Sequence, residues 1–271
     1  MKHLYTPDGK RALAAVMRSD PLLAFDFDGT LAPIVERPED AKVSSAVANR
    51  LTQLARYRPI AIITGRRVAD VMPRLGFEPS HVIGNHGAED PLGPKHALTE
   101  AMKQLRTRLS AQAKELLAAG VVAEDKEHSV ALHYRRAPDK DSAMARISEF
   151  LQGLDPSLRT FGGKFVVNVV TANAPHKGEA LRSLVLRSAS GAAVFVGDDV
   201  NDEPVFANAE AHWLTVRIGP DDPQSKAMYF LDNHAQIASL LRKMLVRLCA
   251  LSKAPAVARG MQELAPGPLS R

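Results

Sequence analysis

With 271 residues, 45% hydrophobic and 24% charged, the chain has the size and balance of a globular protein of about two domains. That balance excludes disordered, collagen-like and coiled-coil classes. The 35 basic and 30 acidic residues leave a net charge of +5, scattered without long blocks of one sign, so nucleic acid is not an expected partner.

The single cysteine, Cys249, excludes an intrachain disulfide framework, and its place among Leu245, Leu248 and Leu251 predicts a buried structural thiol. The stretch before Leu23 has no apolar run of signal-peptide length, and no segment approaches the ~20 apolar residues of a membrane span. A soluble, cytoplasmic protein without membrane contact is expected.

From the N-terminus, a helical pattern at Pro7–Arg18 precedes a short apolar run, Leu22–Asp26. Helix Ser44–Arg56, run Ile60–Thr64, helix Arg67–Leu75 and run Val82–Asn85 follow. From about Pro91 to Ala172 the pattern changes. A long polar-faced helix, Leu98–Ala118, leads to strand patterns at Val121–Glu124 and Ser129–Tyr134. Helix Lys140–Leu151 comes next, then Arg159–Phe161 and Phe165–Val170 as a hairpin around Gly162-Gly163. This αββαββ order predicts an antiparallel sheet with helices on one face, a separate α+β unit. Alternation then resumes with helix Lys177–Ser188, run Val194–Asp198, helix Asn201–Ala209, run Trp213–Val216 and helix His234–Cys249.

Strand–helix alternation at both ends predicts an α/β core, a doubly wound parallel sheet with helices on both faces and ligands beyond the carboxyl ends of its strands. The expected division is a core from 1–92 and 173–250, an inserted unit at 93–172, and a flexible Ala/Pro/Gly-rich tail from 251 to 271.

Asp26-Phe27-Asp28-Gly29-Thr30-Leu31 follows the run Pro21–Phe25. Two carboxylates one residue apart at the end of a buried strand are costly unless a cation or a reaction uses them. A tight turn accounts for Asp28-Gly29 but not for Asp26. Gly197-Asp198-Asp199-Val200-Asn201-Asp202-Glu203 closes a second apolar run, and carboxylates at neighbouring strand ends can converge on one hard divalent cation. Alone, this segment reads equally as a capped helix start. Thr64-Gly65-Arg66 puts a hydroxyl and a flexible backbone at the same sheet edge, and Lys177 opens a helix where a point cation could neutralise phosphate.

In this order the four pieces resemble the haloacid dehalogenase superfamily, over about residues 20–90 and 173–250. The resemblance implies a Rossmann-like core with a movable cap. It makes Asp26 the nucleophile that carries phosphate, Asp28 the acid and then base, Thr64 a hydrogen-bond donor to phosphoryl oxygens, and Lys177 their counter-charge. It also implies Mg²⁺, bound by Asp26, the backbone carbonyl of Asp28, and Asp198, with Asp199 and Asp202 in support.

Within the inserted unit, further phrases resemble the trehalose-6-phosphate phosphatase family: Glu124-Asp125-Lys126, Ala131-Leu132-His133-Tyr134-Arg135 and Gly163-Lys164, together with Gly84-Asn85-His86-Gly87-Ala88-Glu89 before it. That likeness implies a phosphorylated disaccharide, trehalose 6-phosphate, hydrolysed to trehalose and phosphate. It implies substrate contacts from Glu124, Lys126, Arg135, Lys164 and Asn168 on the cap, and from Gly65, Arg66, Asn85 and His86 on the core. A trehalose-6-phosphate synthase is the partner expected in the same pathway. The chain departs from the family at Asn168, where Glu is usual, at Val170-Thr171, where a basic residue and proline are usual, and at Asn201, where Thr is usual. An amide at 168 can still hydrogen-bond a sugar hydroxyl but brings no charge.

Other readings stay open on the residues alone: a phosphatase for another sugar phosphate, a phosphomutase, or an inactive binding module. Against the last stands the presence of Asp26, Asp28, Thr64, Lys177 and Asp198 together. A cap between two core motifs also predicts closure about segments near Pro91–Pro94 and Ala172–Pro175, excluding water from the phosphorylated enzyme.

Overall fold

The computed structural model describes residues 1–93 and 99–253. Seven parallel strands form the larger sheet: β1 (Lys2–His3), β2 (Pro21–Phe25), β3 (Ile60–Ile63), β4 (His81–Ile83), β9 (Ala192–Gly197), β10 (Leu214–Ile218) and β11 (Tyr229–Leu231). Their spatial order is β1-β11-β10-β9-β2-β3-β4. β2, β3 and β9 are unbroken apolar runs buried along their whole length, as parallel strands covered on both faces must be. Helices α1 (Pro7–Val16), α2 (Ser45–Ala55), α3 (Val68–Leu75), α6 (Lys177–Arg187), α7 (Glu203–Ala207) and α8 (Ile237–Lys253) connect and cover them.

The chain winds outward from β2 in two directions. β3 and β4 succeed it on one side, whereas β9, β10 and β11 lie on the other, with Phe25 registered against both Ile62 and Val196. The order therefore reverses between β2 and β9. The carboxyl ends of those strands, where Asp26 and Asp198 follow, flank the crevice in which open α/β sheets bind ligands.

Between β4 and α6 lies a second, four-stranded antiparallel sheet in the order β5-β6-β8-β7, from β5 (Val122–Asp125), β6 (Ser129–His133), β7 (Leu158–Gly163) and β8 (Val166–Thr171). With α4 (Glu100–Ala118) and α5 (Lys140–Phe150) it gives the αββαββ order expected. Side chains alternate across it. Val130, Leu132, Leu158, Val167 and Val169 face a hydrophobic cluster shared with Leu105, Leu116, Ile147 and Phe150 of the helices. The registers Glu124↔Ala131↔Asn168↔Phe161 put the other set on the opposite face.

Several expectations need correction. Gly162 and Gly163 belong to β7, and the turn falls one step later at Lys164-Phe165. Phe165 adopts the left-handed conformation (φ 62°). Its ring packs edge-on against Tyr134 and lies under Arg135 and Lys140, so tertiary packing overrides the glycine signal. The helix expected at Asn201–Ala209 is a short 3₁₀ turn, Val200–Asp202, followed by α7, because Pro204 sits in the first turn of a new helix. β1 and β11, two and three residues long, were too short to show a period. Cys249 is half-buried, its thiol 3.4 Å from the Tyr57 hydroxyl. Leu251–Lys253 continue α8 where the tail was expected to begin. Residues 254–271 of that tail lie outside the described residues, as do Leu98 and Pro94. No helix among the described residues is long and apolar enough to cross a membrane.

The two sheets have separate hydrophobic clusters. Phe150→Ala, in the smaller one, is expected to cost about 3–5 kcal/mol there. Hydrogen exchange should then show protection falling in β5–β8 while β2, β3 and β9 keep theirs; equal loss in both sheets would show one cooperative unit.

Candidate active site

Three strand ends and one helix start converge. Asp26 follows β2 and is 5% exposed, with its amide donating to Val196 O at 2.9 Å. Lys177, the first residue of α6, is 1% exposed. Its ammonium lies 3.0 Å from Asp26 Oδ1 and 2.7 Å from Asp202 Oδ1. The other Asp202 oxygen accepts the amides of Asp198 and Asp199 at 2.9 and 3.0 Å, pinning the end of β9. Thr64, fully buried at the end of β3, accepts the Arg66 amide on Oγ1. Gly29 has φ 79°, and a Cβ there would fall 2.1 Å from Asp198 Oδ2, so only glycine lets the loop after β2 approach that carboxylate.

Asp26, Asp198 and Asp202 each offer a carboxylate oxygen within 4.8 Å of one another. Burial pushes the Asp26 carboxyl well above the usual carboxylate range; Lys177 opposes this, and Asp202, Asp198 and Asp28 reinforce it. Asp198 is pushed up to about 7 by burial and by Asp202 and Asp199. For Lys177, burial opposes the charge, but Asp202 and Asp26 outweigh it and hold the ammonium ionised. Three carboxylates thus crowd around one ammonium. The donor set is all hard oxygen, so the residues fit a divalent metal. Asp202 has both oxygens engaged and acts as a prop, which leaves Asp26 and Asp198 as the carboxylates free to ligate. Asp28 adds no carboxylate to this cluster. Asp199 turns away, accepting from the amides of Val200 and Lys164 and from Asn201 Nδ2.

Asp28 is held by Arg66 through two parallel hydrogen bonds of 2.7 and 2.8 Å. The guanidinium also donates to Asp70 and to Pro38 O, each at 2.8 Å, and lies over the Phe27 ring. These bonds tie Arg66 to Asp28, and Arg66 also lines the cleft between the sheet ends and the inserted unit. Asn85 is likewise committed. Its amide donates to Glu89 Oε2 (2.7 Å) and Lys126 O (3.2 Å), and its oxygen accepts from Ser129 Oγ (2.7 Å), tying the core to the inserted sheet.

A cleft open to solvent separates the sheet ends from the inserted unit. Asp26, Asp28, Gly65, His86, Lys177, Asp198 and Asp199 border it on the core side; Glu124, Lys126, Arg135, Lys164 and Asn168 face them. Gly65 lacks the Cβ that would meet the His86 ring at 2.3 Å, and its carbonyl accepts from Lys126 Nζ at 3.0 Å. Burial holds His86 neutral, with Lys177 and Lys126 adding to the effect. Asn168 Nδ2 and His86 Nδ1 are buried without a hydrogen-bond partner among the described residues. Sequence reasoning missed His133, Asp70 and the segment 34–38, which also line the cleft. His133 was legible in principle, two residues from Ala131 on the same strand face.

The pH dependence of folding tests the metal fit. Between about pH 4 and 7 folded Asp198 keeps a proton that the unfolded chain has released, so without metal stability falls as pH rises through that window. Urea unfolding in EDTA should show this fall and saturating Mg²⁺ should remove it, adding roughly 2.7 kcal/mol at a hundredfold excess over Kd. Asp198→Asn should make the EDTA profile shallower, with the raised Asp26 carboxyl keeping part of the slope, and lose the Mg²⁺ response; an EDTA profile that rises through the window would contradict the arrangement.

Comparisons with known proteins agree on the chain's kinship. The family model described as trehalose-phosphatase matches residues 24–235. A trehalose-phosphate phosphatase of Mycobacterium marinum is 30% identical, covering 89% of this chain and 67% of that protein. A probable trehalose-phosphate phosphatase of Sinorhizobium fredii is 33% identical, covering 85% and 88%. Among solved structures, the C-terminal domain of Candida albicans trehalose-6-phosphate phosphatase superposes with a TM-score of 0.71 at 23% identity, over 87% of this chain and 96% of that one. A haloacid dehalogenase superfamily phosphatase of Bacteroides thetaiotaomicron gives 0.56 at 18%, over 83% and 94%. These two likenesses carry the fold, an α/β parallel sheet of haloacid dehalogenase type. On the sequence match over most of its length, the chain belongs to the trehalose-phosphatase family.

Proposed function

We propose that the chain hydrolyses trehalose 6-phosphate to trehalose and inorganic phosphate through a phosphate ester on Asp26, with Mg²⁺ as cofactor. One observation carries the reading: the buried Asp26–Lys177 pair, 3.0 Å apart, borders a cleft whose opposite wall is polar side chains of the inserted sheet. The relatives' names supply the sugar.

Asp26, Asp198 and the backbone carbonyl of Asp28 would hold the metal, with Asp202 as prop. When bound, Mg²⁺ supplies the positive charge that lets a phosphate dianion approach a carboxylate. Lys177 shares that work and orients Asp26. An Asp26 oxygen attacks phosphorus and the bond to the sugar oxygen breaks, that oxygen taking a proton from Asp28. Water then attacks the phosphorus and yields its proton to Asp28, the bond to Asp26 breaks, and phosphate leaves. Splitting the hydrolysis in two uses one residue as acid and then as base. Thr64, at the end of β3, would donate its hydroxyl to the phosphoryl oxygens, and Arg66 keeps Asp28 in one orientation.

Residues 93–172 act as the cap that selects the sugar. Glu124, Lys126, Arg135, Lys164 and Asn168 meet its hydroxyls. Asn168 and His86 bring two further polar side chains to the same cleft. The Arg67–Glu127 pair and the Lys126–Gly65 bond hold the cap against the core.

Phosphate release from a panel of sugar phosphates is the test. Trehalose 6-phosphate should be preferred well above glucose 6-phosphate, with loss in EDTA and in Asp26→Asn, and about a hundredfold fall or more in Lys177→Met. Metal-dependent release that favours another sugar would keep the chemistry and move the substrate; no release from any would refute the reading.

A further inference from the structure

Glu124 is the carboxylate that the inserted sheet turns toward the cleft, and its orientation is set from the neighbouring strand. In the β5–β6 pairing Val122 is registered with His133 and Glu124 with Ala131, so Glu124 and His133 are diagonal neighbours on the cleft face. His133 Nε2 lies 3.0 Å from Glu124 Oε2, and Lys126 Nζ is 3.6 Å from the same oxygen. Among the described residues no hydrogen bond reaches Glu124 Oε1. The Lys126 ammonium is also bound to Gly65 O at 3.0 Å, which leaves His133 with the short bond to the carboxylate. Both Glu124 and His133 line the cleft.

We propose that His133 is a specificity-determining positioning residue, which fixes the Glu124 carboxylate with Oε2 engaged and Oε1 presented to a sugar hydroxyl. The inference rests on the reading of the cleft as a sugar-phosphate site, and adds to it a residue that need not touch the sugar. Burial alone would push the Glu124 carboxyl up, but the His133 bond and the Lys126 charge outweigh it, so the group is held as an ionised acceptor. With side chains half-exposed at Glu124 and over a third exposed at His133, the pair contributes little to folding. Its effect lies in binding: a free glutamate must be ordered when the sugar arrives, and His133 has ordered it beforehand.

The test compares two substrates, trehalose 6-phosphate, which reaches the cap, and p-nitrophenyl phosphate, which is too short to do so. His133→Ala should lower the ratio of kcat/KM for the sugar phosphate over that for p-nitrophenyl phosphate by about threefold to tenfold, through KM. His133→Gln, which restores an N–H donor, should recover part of the ratio, and the unfolding midpoint of both variants should stay with wild type. In a double-mutant cycle, His133→Ala should add nothing to Glu124→Ala. Equal losses on both substrates, or additive effects of the two substitutions, would overturn the inference. Wild-type hydrolysis of trehalose 6-phosphate with an unchanged ratio in His133→Ala would overturn this inference alone. Failure of the wild-type chain to hydrolyse that ester would remove the substrate reading beneath it.

Discussion

The Lys177 ammonium, buried to 1% exposure between Asp26 and Asp202, is the interaction on which the rest of the site depends. Taking an ion out of water costs several kcal/mol even after relaxation, and a buried pair offsets this only when geometry and further hydrogen bonds are good. Both conditions are met here. Asp202 shares its second oxygen between two backbone amides, so the residue that holds Lys177 also holds the end of β9, which aims Asp198. Asp26, Lys177 and Asp198 are thus tied to one four-residue turn, Asp199–Asp202. Crowding three carboxylates around one ammonium makes an all-oxygen cluster that suits a divalent cation.

A second constraint sits on the other side of the crevice. Asn85 and His86 both adopt left-handed backbone (φ 49° and 59°), a conformation that costs roughly 1–2 kcal/mol per non-glycine residue. Their amides donate to Arg66 O and Thr64 O, each at 2.9 Å, so the strained loop fixes the segment carrying Thr64. The Asn85 side chain then reaches Lys126 O and Ser129 on the inserted sheet. Strain stored there is compensated by bonds to both layers, and the position of the inserted sheet is coupled to the position of Thr64 through a single loop.

Local signals explain what was legible in the sequence. Apolar runs ending in Asp26, Thr64 and Asp198 marked the central strands because burial on both faces forces unbroken hydrophobicity. The αββαββ order of the insert followed from a change of period. What stayed hidden depends on distant partners. Arg66 reads as a free cation until Asp28, 38 residues earlier, is seen to receive its fork. Asn85 reads as a ligand until Lys126 and Ser129, 41 and 44 residues later, saturate it. The glycine pair at 162–163 imitates a turn, yet the register Gly163↔Val166 assigns the reversal to Lys164 and Phe165, held by ring contacts from Tyr134, Arg135 and Lys140.

The two walls of the cleft are finished to different degrees, and that contrast divides the labour. On the core wall, Asp28, Arg66, Lys177 and Asp202 are bonded within the protein, as groups must be if they are to meet a developing charge without first reorganising. On the facing wall Asn168 Nδ2, at 1% residue exposure, has no hydrogen-bond partner among the described residues, and on the core side His86 Nδ1 has none. An unsatisfied buried polar atom costs about 1–3 kcal/mol. Asn168 carries no charge, and burial keeps His86 neutral. The charged side chains with which the inserted sheet lines the cleft include Glu124, Lys126, Arg135 and Lys164. Of these, Lys126 is bound to Gly65 O, Arg135 lies over Phe165, and Glu124 is met by His133 from the neighbouring strand.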